Sequence, residues 1–438
     1  MSTAVSAPAK VLLSGGYLVL DRLHTGLVFG LDARIHLLVV EPASPCKPLE
    51  SRIVVKSPQF LEAQWGYDAR CHGNKCGVIV SPLESSPTPA TVRNLFIETT
   101  LTYVLTYIAE LCPQLHSFHA DITILADADY YSNPPYPSTV YPRFSNFSVP
   151  LAGAHKTGLG SSAALVTALT AALLTHYLPT FCLDIVADRL RLHNLAQLCH
   201  CAAQGKIGSG FDIAAAVFGS CLYRRFSPQI LESGLDSGTP EFASRLRCLV
   251  DDSAGLWDAE IRKGPATLPD GWALFMCDID CGSATVSMAK MLMDWRQQFP
   301  NLASTLWERL QQYQDQLVCH LETADIPAVR QTFEGMRHEL RRMSVQSGVP
   351  IEPPEQTELL DALTNKVDGV IGATVPGAGG YDAIAVLVKE SSETRKAFDN
   401  FLDNWNEHKG TRVRLLQAQG GMEGARAENF MSYFAGGH

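Results

Sequence analysis

Apolar residues over positions 10–40 come in short runs broken by turn glycines, KVLLSGGYLVL and then GLVFGLDARIHLLVV, which predicts hairpin-like strands. Residues 53–80 read the same way. From Thr91 to Leu111 the spacing changes to three and four through Leu95, Phe96, Leu101, Val104, Leu105 and Ile108, the signature of a packed helix. A strand is predicted at 120–125. The segment YYSNPPYPSTVYPRFSNF, residues 130–147, interleaves prolines with aromatic residues; it excludes regular structure and suits a surface loop, either a lid or a plain connector. Ala- and Leu-rich periodicity then predicts helices at 161–178 and 185–204, and a strand follows at 220–226.

Residues 227–270 are rich in Ser, Gly, Asp and Pro with little periodicity, so the domain boundary is drawn there. This divides the chain into an N-terminal unit, 1–226, a variable connecting segment, 227–270, and a C-terminal unit, 271–438. In the last unit the pattern predicts a strand at 272–280 and helices at 284–298, 302–322 and 326–345. Strands VDGVIGATV and YDAIAVLV flank a glycine turn, followed by a helix at 391–408 and the strand TRVRLLQA. Strand, turn, strand, helix, strand is a two-layer α+β pattern.

With 438 residues, 46% hydrophobic and 18% charged, the chain can bury two or three domain cores, which excludes disorder as its main state. A net charge of −10 leaves no basic field for nucleic acid or an anionic membrane surface, so an anionic ligand has to be held locally. Neither a signal peptide nor a membrane-length apolar run is visible. Twelve cysteines without a secretion signal read as free thiols in a reducing compartment, and the expected location is the cytoplasm. Zinc is not expected: Cys199, His200 and Cys201 are adjacent in a helical pattern and diverge, while Cys71, His72 and Cys76 lack a second pair.

Four segments carry candidate chemistry. His155-Lys156-Thr157-Gly158-Leu159-Gly160-Ser161-Ser162-Ala163-Ala164 is a glycine and serine turn running into a helix, where backbone N–H groups and the helix dipole make an anion site. The plain alternative is a capped helix. Gln204-Gly205-Lys206-Ile207-Gly208-Ser209-Gly210-Phe211-Asp212 sets a lysine and an aspartate on a turn; Asp212 serves either a metal or lysine partner or a helix N-cap. Residues 374–382, TVPGAGGYD, allow close backbone approach or form a simple hairpin turn. Lys10, with Ser14-Gly15-Gly16, opens the first strand, where a lone lysine is ordinarily a solvated charge.

Together these segments resemble the GHMP kinases: SAPAKVLLSGGYLVL is similar to their first motif, KTGLGSSAALVTALTAALL to their phosphate loop and helix, and VPGAGGYDAIAVL to their third motif, in the same order. AQGKIGSGFDIAAAVFGSCLYRRF and CGSATVSMAKMLMDW resemble the branch that acts on mevalonate 5-phosphate. The resemblance implies an α+β GHMP kinase fold, with an N-terminal nucleotide domain resembling domain 2 of ribosomal protein S5 and a ferredoxin-like C-terminal domain. It implies that ATP, with magnesium, phosphorylates mevalonate 5-phosphate, in a monomer or homodimer. Residues 155–164 would cradle the ATP phosphates, Ser162 and Asp212 would hold magnesium, and the third motif would buttress the loop. Lys10, Asp212 and Lys206 would be catalytic, while Ser14, Gly16, Tyr17, Ser209, Ser283, Thr285 and Gly379 would line the acceptor. At Arg224-Arg225, strand alternation lets at most one side chain face the site.

Two departures from the wider family stand out. Gly15-Gly16 replaces the Gly-Glu of many relatives, and the last turns of the helix before Gly205 offer Gln197, His200 and Gln204 but no acid, so a second magnesium carboxylate is not evident. The competing readings are a sister kinase acting on an alcohol such as mevalonate, a non-catalytic nucleotide sensor and a decarboxylase of the same fold.

Overall fold

In the computed structural model the described residues are 2–42, 51–72, 77–83, 93–115, 117–133, 135–232, 235–279, 285–409 and 412–435. β1 (Ser2–Ser14) and β2 (Gly26–Val40) pair antiparallel along nearly their whole length, and both are almost continuously buried, as their apolar composition requires. The register shifts at Pro8/Ala9, where proline has no N–H to give the ladder. β3 (Arg52–Lys56), β4 (Gln64–His72) and β5 (Gly77–Pro82) extend the sheet as a meander.

α1 (Leu95–Leu111) starts where the Asn94 side chain accepts from the Ile97 N–H, and it leads into β6 (His119–Ala126), which pairs with β2 and runs parallel to β3. The short strands β7 (Tyr136–Pro137) and β8 (Ser145–Asn146) lie within the aromatic loop. That loop is packed down rather than free: Tyr130, Tyr131, Tyr141, Phe144 and Phe147 are all buried. α2 (Ser161–Tyr177) is apolar on nearly every side and sits inside the domain, with α3 (Val186–Gln204) and α4 (Phe211–Phe218) packed against it. β9 (Cys221–Arg224) returns to the free side of β2.

The connecting segment is more ordered than its composition predicts. It holds α5 (Gln229–Glu232), α6 (Phe242–Asp251) and β10 (Glu260–Arg262). α6 buries Phe242, Ala243, Leu246 and Val250, a three-four spacing on one narrow face, against α1 and α3. The C-terminal half adds β11 (Trp272–Ile279), α7 (Thr285–Gln298), α8 (Pro300–Glu322) and α9 (Ile326–Ser347). A further helix, α10 (Pro354–Lys366), was not expected. Proline at its first position suits a helix start, and Leu359, Leu360 and Leu363 form its buried stripe. β12 (Val370–Thr374), β13 (Ala383–Lys389), α11 (Ser392–His408), β14 (Val413–Gly421) and β15 (Arg426–Ala427) complete the order.

β12, β13, β11 and β14 form an antiparallel layer, and β14 then pairs with β2 through Gly420↔Leu31 and Gly421↔Gly30, so that both halves share one 13-stranded sheet. The chain end reaches further. β15 pairs with β1, Arg34 donates to Ser6 and to the Gly424 carbonyl, and Tyr433 lies 2.8 Å from His36 Nδ1.

The halves also meet at the first and third glycine motifs. The Gly377 N–H donates to the Leu12 carbonyl, and a Cβ on Gly16 would stand 1.8 Å from the Gly377 carbonyl oxygen. Backbone cannot yield as a side-chain tip can. Gly16→Ala is therefore expected to lower unfolding free energy by about 3 kcal/mol, read as a shift of the urea midpoint at unchanged slope. An unshifted midpoint would show that the two turns separate freely.

Candidate functional site

The site is assembled where β1, the 155–164 loop, the C-terminal end of α3 and the start of α4 converge. Residues 155–157 anchor the loop from outside: the His155 N–H donates to Asn133 Oδ1, and Thr157 hydroxyl donates to the Asp129 carbonyl. Lys156 is exposed at this rim. Gly158 and Gly160 then adopt φ of 74° and 83°, the left-handed conformation that glycine takes without a Cβ clash. Nothing lies within 4 Å of the place a Gly158 Cβ would occupy, whereas one on Gly160 would meet Lys10 Cε at 2.8 Å. Leu159, Ala163 and Ala164 point inward and fix the loop to the core.

α2 begins at Gly160 with no side-chain cap, and so does α4 at Gly210. The first-turn N–H groups of Ser161, Ser162 and Ala163 have no intrahelical acceptor, which is the donor set an anion requires. This disfavours the capped-helix reading of the loop. Asp212 is likewise not an N-cap: it sits in the first turn of α4, its Oδ1 accepting from the Ile213 N–H.

Lys10 lies across the loop. Its backbone N–H donates to the Leu159 carbonyl, its Nζ donates to the Gly158 carbonyl at 3.2 Å, and the same ammonium stands over the Phe211 ring, 5.5 Å from its centroid. Burial pulls the ammonium below the ordinary lysine value of 10.5, and the negative charge of Asp212 partly restores it. Because burial favours the neutral amine, the proton is lost at lower pH than from a free lysine. The alkaline limb of kcat/KM is expected below 10.5, and Asp212→Asn should move it lower still. A limb unmoved by that substitution would separate the two charges.

Ser162 Oγ lies 3.1 Å from His200 Nε2, and His200 Nδ1 lies 3.9 Å from Asp212 Oδ2. From the sequence His200 reads only as part of the diverging Cys199-His200-Cys201 cluster and as a non-acidic residue before Gly205. Its spacing of four from Gln204, which touches the same ring nitrogen, was the available signal that both share a face.

The other expected residues scatter. Lys206 is exposed and lines a separate cavity of about 600 Å³ with Thr99, Tyr103 and Asp236, a lining that includes neither Lys10 nor Asp212. Ser14 is buried and donates inward to Gln314 rather than toward a ligand. Gly16 packs on Gly377, Tyr17 donates to the Ala378 carbonyl at 2.7 Å, and Gly379 abuts the Ile351 carbonyl. The third motif thus supports the first motif, not the phosphate loop. Ser209 gives its carbonyl to the Tyr223 hydroxyl. Ser283 lies outside the described residues, and Thr285 is placed only as the first residue of α7. Arg224 turns to Glu260 and the 22–23 carbonyls. Arg225 instead clamps the carbonyls of Leu20, Ile207 and Gly208, holding the turn that leads to Asp212.

A glycine-lined anion loop at an uncapped helix, crossed by a lysine that an aspartate faces, is the constellation of a GHMP kinase. Residues 145–220 match the GHMP kinases N terminal domain and residues 326–407 the GHMP kinases C terminal domain. A phosphomevalonate kinase of Gibberella zeae is 48% identical over 98% of this chain and 97% of that protein, and one of Aspergillus fumigatus is 43% identical over 98% of each. The chain belongs to the phosphomevalonate kinases. The solved structure of Streptococcus pneumoniae phosphomevalonate kinase in complex with phosphomevalonate and AMPPNP has the same fold, with a TM-score of 0.62 at 17% identity, covering 95% of this chain and 98% of that one. Among the described residues no helix is long and apolar enough to cross a membrane.

Proposed function

We propose that this protein transfers the γ-phosphoryl group of ATP to the phosphate of mevalonate 5-phosphate, giving mevalonate 5-diphosphate and ADP. The carrying observation is the meeting of Lys10, the Gly158–Ser162 loop and Asp212 at one point. The donors there suit a nucleotide triphosphate: uncapped N–H groups for phosphate oxygens, and open space beside Gly158. They also suit magnesium, a hard cation that accepts one hydroxyl and one carboxylate and completes its shell with phosphate and water oxygens. Ser162 and Asp212 would hold it, and when bound it supplies positive charge at the phosphate oxygens.

The acceptor sets what the side chains must do. A phosphate monoester loses its second proton near pH 6, so at neutral pH its oxygen is already a nucleophile and a general base has little to remove. Repulsion is the larger barrier: two unit charges 4 Å apart cost about 4 kcal/mol at an effective dielectric near 20. Lys10 brings a fixed cation to the transferring group, and Asp212 keeps that cation protonated and aimed. Lys206, in the lining of the separate cavity, is left out of this step. Every cysteine among the described residues is a free thiol, which supports a reducing, cytoplasmic setting.

The test is ADP release by the purified protein with ATP and magnesium, comparing mevalonate, mevalonate 5-phosphate, mevalonate 5-diphosphate and homoserine. Turnover with mevalonate 5-phosphate alone is expected. Preference for an alcohol would overturn the acceptor assignment, and silence on all four would favour a sensor.

A further inference from the structure

We propose that His200 is a positioning residue: its ring holds the Ser162 hydroxyl with the proton turned inward, so that the oxygen lone pairs face the cleft. The inference rests on the phosphoryl-transfer reading above and assigns a function to a buried side chain that this reading leaves unused.

His200 is 2% exposed, on the last turns of α3. Its Nε2 lies 3.1 Å from Ser162 Oγ and 3.0 Å from Gln204 Nε2. An amide nitrogen can only donate, so with Gln204 in this orientation Nε2 must carry a lone pair. The ring proton then belongs on Nδ1, the nitrogen that faces Asp212 Oδ2 at 3.9 Å. Phe96, stacked on the ring at 5.7 Å between centroids, keeps its plane from turning.

The consequence falls on Ser162. A hydroxyl has one proton and two lone pairs. With the proton directed to Nε2, where it shares the ring's one lone pair with the Gln204 N–H in a three-centre bond, only the hydroxyl's own lone pairs are left for the cleft, which is the state a cation needs. With the ring absent, the hydroxyl is free to rotate and donate to a phosphate oxygen, which removes it as a cation ligand. The ring nitrogen itself is a poor partner for magnesium, which prefers oxygen. His200 therefore acts through Ser162, on a helix that offers no carboxylate for the purpose.

The test uses the full chain carrying His200→Asn, His200→Gln, Ser162→Ala and the His200→Asn/Ser162→Ala pair. Glutamine places an amide near Nε2 whose oxygen can accept from Ser162, whereas asparagine reaches only the Nδ1 position. Two readouts apply: kcat against free magnesium with saturating ATP and mevalonate 5-phosphate, and calorimetric binding of AMPPNP with and without magnesium. His200→Asn is expected to raise the magnesium half-saturation about tenfold or more and to weaken AMPPNP binding only when magnesium is present, with His200→Gln recovering to within about threefold. In the Ser162→Ala background His200→Asn should add nothing. Equal losses in both His200 variants with equal falls in thermal midpoint, or additive losses in the pair, would overturn the proposal. Should the wild-type protein turn over no acceptor, the kinase reading falls while the AMPPNP titrations still decide His200.

Discussion

Lys10→Ala is expected to lower kcat by about 10³-fold while changing nucleotide affinity only a few-fold. The asymmetry follows from how the residue is held. Its backbone N–H, which an alanine keeps, bonds the Leu159 carbonyl and so preserves the loop, whereas its Nζ reaches the edge of the loop at Gly158. On the proposed reading the loop's own N–H groups would bind ground-state phosphates, and the ammonium would meet charge that gathers only as the phosphoryl group moves. An interaction made mainly in the transition state appears in kcat, not in binding. ADP release at saturating substrates, beside a calorimetric titration with AMPPNP, separates the two. A variant that loses nucleotide affinity in step with kcat would place Lys10 in ground-state binding.

Arg337→Met is expected to cost about 4 kcal/mol of stability. Glu352 is fully buried, and its carboxylate accepts from Arg337 Nε and Nη2, from Arg341 and from the Thr357 hydroxyl. Arg337 also pairs with Asp361 at 2.8 Å, tying α9 to α10. Removing the guanidinium leaves a buried carboxylate short of charge, whose desolvation is no longer compensated. Adding Glu352→Gln should recover more than half of the loss, since the stranded charge is what the single variant suffers from. Denaturant unfolding of both proteins decides it, and a double variant no more stable than the single one would place the loss in packing. The damage should also reach the site's support, because the neighbouring Ile351 carbonyl accepts from the Gly380 N–H in the third glycine motif.

Local features were the legible ones. The loop before α2 could be read because glycine turn and helix start are contiguous; α2, α3 and α11 lie within one residue of their expected spans, on composition and apolar spacing together, while α1 begins at Leu95 rather than Thr91. Lys10 and Asp212 were recoverable by resemblance but not from their own surroundings, since 202 residues of chain separate two groups that meet only in the fold. Short helices escaped notice where the buried stripe is narrow and broken by polar residues, as in α6 and α10. Side-chain direction escaped altogether: Ser14 beside two glycines looks like a ligand contact, yet a glutamine from α8 claims its hydroxyl. His200 stayed hidden for the same reason, its meaning lying in Ser162 and Asp212 from other segments.

The way the chain end returns to β1 has a consequence for synthesis. Ser6 and Glu428 are bonded at 2.6 Å although 422 positions apart, and β15 completes one edge of β1, a strand made long before it. A nascent chain can build α1, α2 and α3 as they emerge, but β1 waits with an unfilled edge until residues 426–427 have been made. Stop codons placed between α4 and β15 should therefore yield products that are recognised as unfinished and degraded, even though every residue of the 155–164 loop is already present.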